Sequence, residues 1–157
     1  MIASPLTLDW PDADATARCA VALGRIVQPG DVILLSGPVG AGKTHFARAL
    51  IQSLLTVPED VPSPTFTLVQ TYDTQSGTLW HTDLYRLSTE TEIDELSLTE
   101  AFEDAICLVE WPDRLGRFAP ENALSIEISS GRKDRTALFT WTDAKWHSRL
   151  ADMVQNV

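Results

Sequence analysis

The stretch that decides the fold runs from Val32 to Thr44 and reads VILLSGPVGAGKT. Its first part, residues 32–35, is branched and apolar, which is typical of a strand that is buried on both faces of a sheet. Residues 37–44 follow at once with the spacing G-x-x-x-x-G-K-S/T of a phosphate-binding loop. Apolar residues after Thr44 recur at steps of three and four, which indicates one face of a helix. Strand, loop and helix in this order predict a nucleotide-binding α/β domain.

The residue types in the loop suit the binding of a triphosphate. Glycines let the backbone curl, so that successive N–H groups point toward an anion. Lys43 is expected to reach the outer phosphates, and the Thr44 hydroxyl to bind Mg²⁺ at the start of a helix whose dipole favours negative charge. The nucleotide-binding residues expected from the loop are Gly37, Pro38, Val39, Gly40, Ala41, Gly42, Lys43 and Thr44.

Length and composition limit the classes of protein that fit. The chain has 157 residues, so we expect a single domain over residues 1–157. Its 12 basic and 22 acidic residues give a formal net charge of −10, which would repel nucleic acid, and a role on RNA would need a partner to hold the RNA. No apolar run approaches the roughly 20 residues of a membrane span, and the amino terminus does not resemble a signal peptide. These features predict a cytoplasmic protein without a membrane segment.

The rest of the chain predicts strands and helices around the loop, with a β-hairpin inserted into the alternation. The fold class expected is α/β, a single-domain P-loop NTPase-like three-layer sandwich with a mixed central sheet and that inserted hairpin. A loop is expected over 113–120. In addition to 32–35, the strands expected are 2–8, a segment starting near 67, 78–83, 106–109, 124–128 and 136–140. The helices expected are 12–27, the one after Thr44, 92–96, 98–104 and 144–154.

Two carboxylates could complete a magnesium site, because Mg²⁺ prefers oxygen ligands. Glu110 follows the apolar run 106–109, and ligands of open α/β sheets gather beyond the carboxyl ends of the parallel strands. If that strand neighbours the first, Glu110 lies near the phosphates, as a metal ligand or the partner of one. Asp83 ends the hairpin's second strand. The alternatives are a surface glutamate for Glu110 and a helix cap for Asp83.

Four other residues each admit two interpretations. Thr65, in a loop flanked by prolines, could reach the γ-phosphate or Mg²⁺, or it could cap a turn. His81 alternates with a leucine on the hairpin, which favours a structural histidine over a catalytic one. Trp111 could flank the nucleotide or a partner. Arg132, in a turn between two strands, could lie against the nucleotide, although solvent exposure is the default for such a turn.

Four blocks of the sequence resemble the TsaE (YjeE) family in order and spacing. The resemblance implies a weak ATPase, dependent on ATP and Mg²⁺, that takes part in forming N6-threonylcarbamoyladenosine beside the anticodon of tRNA. It also implies protein partners, the TsaB–TsaD heterodimer, with tRNA reached only through that complex. Without these partners we expect the chain to be a monomer. The blocks are Gly37–Thr44, SPTFTL at 63–68, HTDLYRL at 81–87 and LVEWPDRL at 108–115.

The resemblance also implies roles for individual residues. It places the Lys43 amine on the ATP phosphates and makes Thr44 and Glu110 the magnesium ligands. The catalytic residues that it implies are Lys43, Asp83, Glu110 and Thr65, with Asp83 needed for hydrolysis and Thr65 in a switch-like loop. Further nucleotide contacts implied are Arg132 near the nucleotide and Asp12 and Ala13 at the adenine.

Three other functional classes share parts of the pattern. A small-molecule kinase could use the same phosphate cradle, but the sequence has no arginine-rich lid, and Arg114 and Arg117 come nearest to one. A GTPase is disfavoured because no N-K-x-D motif for guanine occurs. A nucleotide-gated binding module, whose hydrolysis only times assembly and release, would look the same in sequence as the family does.

Overall fold

A computed structural model describes residues 3–131 and 134–157 of the protein. Its strands are β1 Leu6–Trp10, β2 Val32–Ser36, β3 Val69–Thr74, β4 Gly77–Asp83, β5 Ile106–Glu110, β6 Leu124–Ser130 and β7 Arg135–Thr140. Its α-helices are α1 Ala13–Gly24, α2 Lys43–Leu54, α3 Glu90–Glu95, α4 Leu98–Asp104 and α5 Lys145–Gln155, and a 3₁₀ segment covers Pro112–Phe118.

The seven strands form one mixed sheet in the order β1-β7-β6-β2-β5-β4-β3. Strands β6, β2, β5 and β4 run parallel, whereas β1, β7 and β3 are antiparallel to their neighbours. The register pairs Leu35 with Glu110 and Glu110 with Asp83, so the carboxyl ends of β2, β5 and β4 meet at one edge. The mixed sheet and the inserted β3–β4 hairpin confirm the predicted topology.

The two faces of the sheet carry separate apolar cores, because neighbouring residues of a strand point to opposite faces. Ile33 and Leu35 of β2 belong to the core beneath α1, α2 and α5. Val32 and Leu34 belong to the second core, beneath α3, α4 and the 3₁₀ segment. A buried four-residue run in a central parallel strand therefore supplies both cores, and helices on both faces confirm the three-layer sandwich.

Helices α1 and α2 form where their sequences predict them, but α1 ends at Gly24 rather than near residue 27. Asp12 caps α1, because its Oδ1 accepts a hydrogen bond of 2.8 Å from the Ala15 N–H. The predicted apolar stripe of α2 is buried against the sheet, with Phe46 and Leu50 fully inside the core. Trp10 at the end of β1 stacks on Phe46 at 5.4 Å between ring centroids, which joins the edge strand to α2.

Three other local predictions were wrong. The first strand is 6–10 rather than 2–8, because the buried Trp10 anchors its later end. Strand β3 begins at Val69 rather than near 67, since Leu68 has a left-handed backbone with φ of 68° that a strand cannot contain. Residues 112–118 are 3₁₀ helix rather than loop, starting with a proline and anchored by the fully buried Leu115.

No helix in the described ranges 3–131 and 134–157 is long and apolar enough to span a bilayer.

Candidate functional site

The phosphate-binding loop joins the carboxyl end of β2 to the first turn of α2. Gly37 has a φ of 140°, and a side chain there would collide with the carbonyl oxygen of Ile128 on the neighbouring strand. Gly42, directly before α2, has a φ of 101°, a conformation in which an L side chain is strained. Glycine is therefore required where the loop leaves the sheet and where it enters the helix.

Lys43 is directed back over the loop. Its Nζ donates hydrogen bonds to the carbonyl oxygens of Gly37 and Pro38, the latter at 3.1 Å. The same ammonium lies 4.2 Å from the centroid of the Trp111 ring. Burial lowers the pKa of Lys43, while the nearby carboxylates of Glu110 and Asp83 oppose that shift. The positive charge is thus held at the mouth of the loop by carbonyl dipoles and an aromatic face.

The Glu110 carboxylate links the loop to the sheet. Its Oε1 accepts a hydrogen bond of 2.9 Å from the Thr44 hydroxyl, and its Oε2 lies 2.7 Å from Nε2 of His81. Glu110 is only 2% exposed and His81 is fully buried. No lysine or arginine of the described residues lies within ion-pair distance of Glu110. Thr44 and Glu110 therefore present two oxygen ligands side by side, which is the donor chemistry that fits Mg²⁺.

Asp83, which is paired with Glu110 in the sheet, contacts the side chain of Thr65. The Asp83 carboxylate accepts 3.2 Å and 2.9 Å hydrogen bonds from the Thr65 hydroxyl and the Tyr85 N–H. The Thr65 hydroxyl also lies 2.7 Å from the Ser63 hydroxyl. Asp83 therefore ties the turn after β4 to the Thr65 loop, and no helix in the described part of the chain begins there for it to cap.

Trp111 forms a wall of the site. Its backbone is left-handed, with a φ of 60°, and its N–H donates to the carbonyl oxygen of Leu35 at 3.2 Å. Its ring packs on Tyr85 at 4.8 Å between centroids. A bulky residue held at positive φ beside a reactive group is a feature that clusters at functional sites.

These side chains surround one cleft of about 410 Å³, within the range of small-molecule sites. The cleft is open at the rim, where Val39 is 80% exposed. The residues that line it are Val39, Gly40, Gly42, Lys43, Thr44, His45, Thr65, Asp83, Tyr85, Glu110 and Trp111. Gly37, Pro38 and Ala41 lie outside this lining, in the part of the loop that supports it.

A smaller cleft of about 200 Å³ shares Gly42 and His45 with the first. Asp12 and Ala13 line this second cleft, together with Trp10, Thr16 and Arg135. The His45 Nε2 lies 3.1 Å from the Ala13 carbonyl oxygen, which fixes the start of α1 against the loop. The predicted nucleotide residue Arg132 falls outside the described residues.

Sequence reasoning missed several residues of this region, among them Tyr85 and Thr16, which line the two clefts. His45 follows the loop directly, but nothing in its position indicated the contact with α1. Arg135 of β7 lies against Gly42, where an added Cβ would be 3.3 Å from its Nε. His81 was expected to be structural, and the contact with Glu110 was not anticipated; the acid at the end of β5 was the available indication.

Comparison with known proteins assigns the chain to a family. The family model described as "Threonylcarbamoyl adenosine biosynthesis protein TsaE" matches residues 10–137. The chain belongs to the TsaE family. The matched range includes every residue that lines the two clefts. Membership of this family implies nucleotide binding, in agreement with the loop.

Relatives named "tRNA threonylcarbamoyladenosine biosynthesis protein TsaE" match most of the chain. The protein from Rickettsia felis is 41% identical over 144 residues, covering 90% of this chain and 82% of the relative. The protein from Bacillus subtilis is 35% identical over 136 residues, covering 85% and 82%. The crystal structure of Bacillus subtilis YdiB superposes with a TM-score of 0.77 and 25% identity, covering 99% of this chain and 97% of YdiB. The TsaE-family chain therefore shares both sequence and fold with these proteins.

Proposed function

We propose that this TsaE-family chain is a magnesium-dependent ATPase that acts in the biosynthesis of threonylcarbamoyladenosine in tRNA, at the adenosine next to the anticodon. The names of its relatives support the pathway. We further propose that it works with the TsaB–TsaD heterodimer, through ATP-driven assembly and reset. The observation that carries the proposal is the meeting of Lys43, Thr44 and Glu110 in one cleft at the start of α2.

Each residue of the loop has a defined task in this proposal. The backbone N–H groups of the loop, which Pro38 lacks, hold the phosphates, and the positive end of the α2 dipole adds to the attraction. The Lys43 amine turns from the carbonyl oxygens of Gly37 and Pro38 to the outer phosphates. Thr44 and Glu110 hold the metal. A bound magnesium ion supplies positive charge that offsets the negative charge developing during phosphoryl transfer.

Asp83 and Thr65 are the second catalytic pair of the proposal. Their hydrogen bond ties the Thr65 loop to the end of β4, next to Glu110 in the sheet. Asp83 orients the attacking water, and Thr65 responds to the outer phosphate and changes the position of its loop. The base of the nucleotide occupies the smaller cleft beside Asp12 and Ala13, with Arg135 at its edge.

The partner surface lies around the mouth of the main cleft. Three apolar side chains there are exposed: Phe66 at 81%, Val39 at 80% and Tyr85 at 48%. Phe66 is the neighbour of Thr65, so a movement of the Thr65 loop would alter this surface when nucleotide is bound or hydrolysed. The net charge of −10 suits a protein that reaches tRNA only through a complex.

Reconstitution tests the proposal. The purified chain is assayed for ATP hydrolysis with and without Mg²⁺, then with the TsaB–TsaD heterodimer, and the modified tRNA is quantified in a complete system. We expect slow magnesium-dependent hydrolysis alone, stimulation by the heterodimer and modified tRNA only when ATP is hydrolysed. Full-speed hydrolysis that the heterodimer leaves unchanged would contradict the partner role. Phosphate transferred to a small-molecule acceptor would instead indicate a kinase.

A further inference from the structure

We propose that His81 is a positioning residue, which holds the Glu110 carboxylate in the orientation that magnesium binding requires. This inference rests on the proposed function and assigns a task to a residue that does not line the cleft. Nε2 of His81 lies 2.7 Å from Oε2 of Glu110, and the other oxygen of the same carboxylate accepts from Thr44. The carboxylate is thus held from behind by the imidazole, while its second oxygen faces the loop.

The sheet register explains how His81 reaches Glu110. Strands β4 and β5 run parallel, with His81 paired to Leu108 and Asp83 paired to Glu110. His81, Asp83 and Glu110 consequently point to the same face of the sheet, the face covered by α2. The imidazole, two residues before the strand end, extends toward the carboxyl edge and meets the carboxylate below the first turn of α2.

Hydrogen-bonding chemistry fixes the direction of this contact. An ionised carboxylate only accepts hydrogen bonds, so Nε2 of His81 carries the proton and donates. The other ring nitrogen, Nδ1, is buried and has no hydrogen-bond partner among the described residues. A side chain that served only to fill the core would be better as leucine, which leaves no buried nitrogen unpaired. The single contact made by the ring therefore accounts for a histidine at this position.

Loss of that contact would release the carboxylate. His81 is the only described residue that forms a hydrogen bond with Oε2 of Glu110, and Glu110 is nearly fully buried. Without the donor, the carboxylate could rotate away from Thr44, and its buried charge would lack one of its two compensating hydrogen bonds. Groups that orient metal ligands from behind are known to change metal affinity or activity by roughly 10-fold to 100-fold when they are removed.

Three variants separate positioning from packing. His81→Met fills the site without a donor, while His81→Gln places an amide N–H at about the position of Nε2. Thr82→Val is the matched control, because Thr82 is equally buried in the same strand and its hydroxyl has no hydrogen-bond partner within residues 3–131 and 134–157. Affinity for a non-hydrolysable ATP analogue is measured by calorimetry in EDTA and across a Mg²⁺ titration, beside the Mg²⁺ dependence of hydrolysis and thermal unfolding without ligand.

We expect His81→Met to raise the Mg²⁺ concentration for half-maximal binding by roughly 10-fold to 100-fold. Its affinity for the analogue in EDTA should stay unchanged. His81→Gln should recover most of the magnesium affinity, and Thr82→Val should match the wild type. If His81→Met does not fold, His81→Asn replaces it, because its shorter amide cannot reach Glu110. An unchanged Mg²⁺ requirement in the variant without the donor, or equal losses in it and His81→Gln, would overturn the inference. If the wild type itself shows no magnesium dependence, the proposed function fails with it.

Discussion

Two buried carboxylates lie at opposite ends of the neighbouring strands β2 and β5, and their surroundings differ. Asp31, just before β2, accepts from the Lys145 amine at 2.9 Å, from the Arg149 guanidinium at 2.6 Å and from the Gln28 N–H at 2.8 Å. Glu110, at the end of β5, forms hydrogen bonds through its oxygens with just a threonine hydroxyl and a histidine nitrogen of the residues that the structure describes. Both carboxylates are 2% exposed, so burial does not distinguish them.

The difference lies in how each negative charge is compensated. Asp31 also lines a cleft, but two cations of α5 neutralise its charge, and these ion pairs tie the last helix to the first buried strand. Glu110 is oriented but not neutralised by a lysine or arginine of the described residues, and it faces a cleft. A buried carboxylate with fixed geometry and too little positive charge is suited to a metal ion, whereas a fully paired one is suited to holding the fold together.

The largest expected effect comes from Glu110→Gln. Removing the charge should lower ATP turnover by roughly 100-fold or more, because a catalytic metal is worth several kcal/mol and each 1.36 kcal/mol is tenfold. Thermal stability should hardly fall, since no lysine or arginine of the described residues lies within ion-pair distance of Glu110. Turnover is measured at saturating ATP over a range of Mg²⁺, with the exposed Glu95→Gln as control. A variant that loses stability but keeps its turnover would reverse the roles of the two carboxylates.

Asp31→Asn should lower the stability of the protein and leave its ATP turnover unchanged. Two cations lose their counterion, and we expect unfolding to become easier by about 2 kcal/mol, below the value for a fully buried pair because both cations reach solvent in part. ATP turnover per folded molecule should stay the same. Denaturant unfolding measures the loss of stability. Asp152→Asn, at an exposed position of α5, controls for the change in net charge. Equal stability of both variants would show that the Asp31 contacts contribute nothing.

Lys43→Ala separates binding from metal chemistry. Charge-assisted hydrogen bonds contribute about 1.5–3 kcal/mol, so affinity for ATP should fall by roughly tenfold to a hundredfold even in EDTA. Glu110→Gln should leave the affinity in EDTA nearly unchanged. Calorimetric titration of both variants is the measurement. Small and equal losses in the two proteins would reject the assignment of Lys43 to the phosphates.

The smallest expected effect is that of Thr65→Val. The substitution removes a partly exposed hydroxyl that donates to Asp83. Loss of this hydrogen bond should raise the activation free energy of hydrolysis by about 1 kcal/mol and so slow turnover several-fold. Binding of ATP should be unaffected, since the loop backbone is intact. Single-turnover hydrolysis checks this expectation. A loss as large as that of Glu110→Gln would mean that the Thr65 hydroxyl itself reaches the reacting phosphate.

Most of the fold and the centre of the site follow from local sequence patterns. The apolar runs of β2 and β5, a glycine-rich loop and an acid at the end of β5 bring Glu110 toward Thr44 once β5 is taken as the parallel neighbour of β2, because parallel neighbours end at the same edge. The contact between His81 and Glu110 depends instead on β4 lying parallel beside β5, a pairing between segments far apart in sequence. Arg135 reaches Gly42 from β7, two strands away from β2. A contact between such distant segments cannot be predicted from the local spacing of residues.

Structure determination with a manganese ion and a non-hydrolysable ATP analogue tests the central claim most directly. Mn²⁺ replaces Mg²⁺ at oxygen sites and is located by its anomalous scattering. We expect one metal peak between the Thr44 hydroxyl and the Glu110 carboxylate, bridging to the analogue's phosphates, with the Lys43 amine turned onto those phosphates. A metal bound elsewhere, or an analogue that leaves the Lys43 cleft empty, would contradict the account.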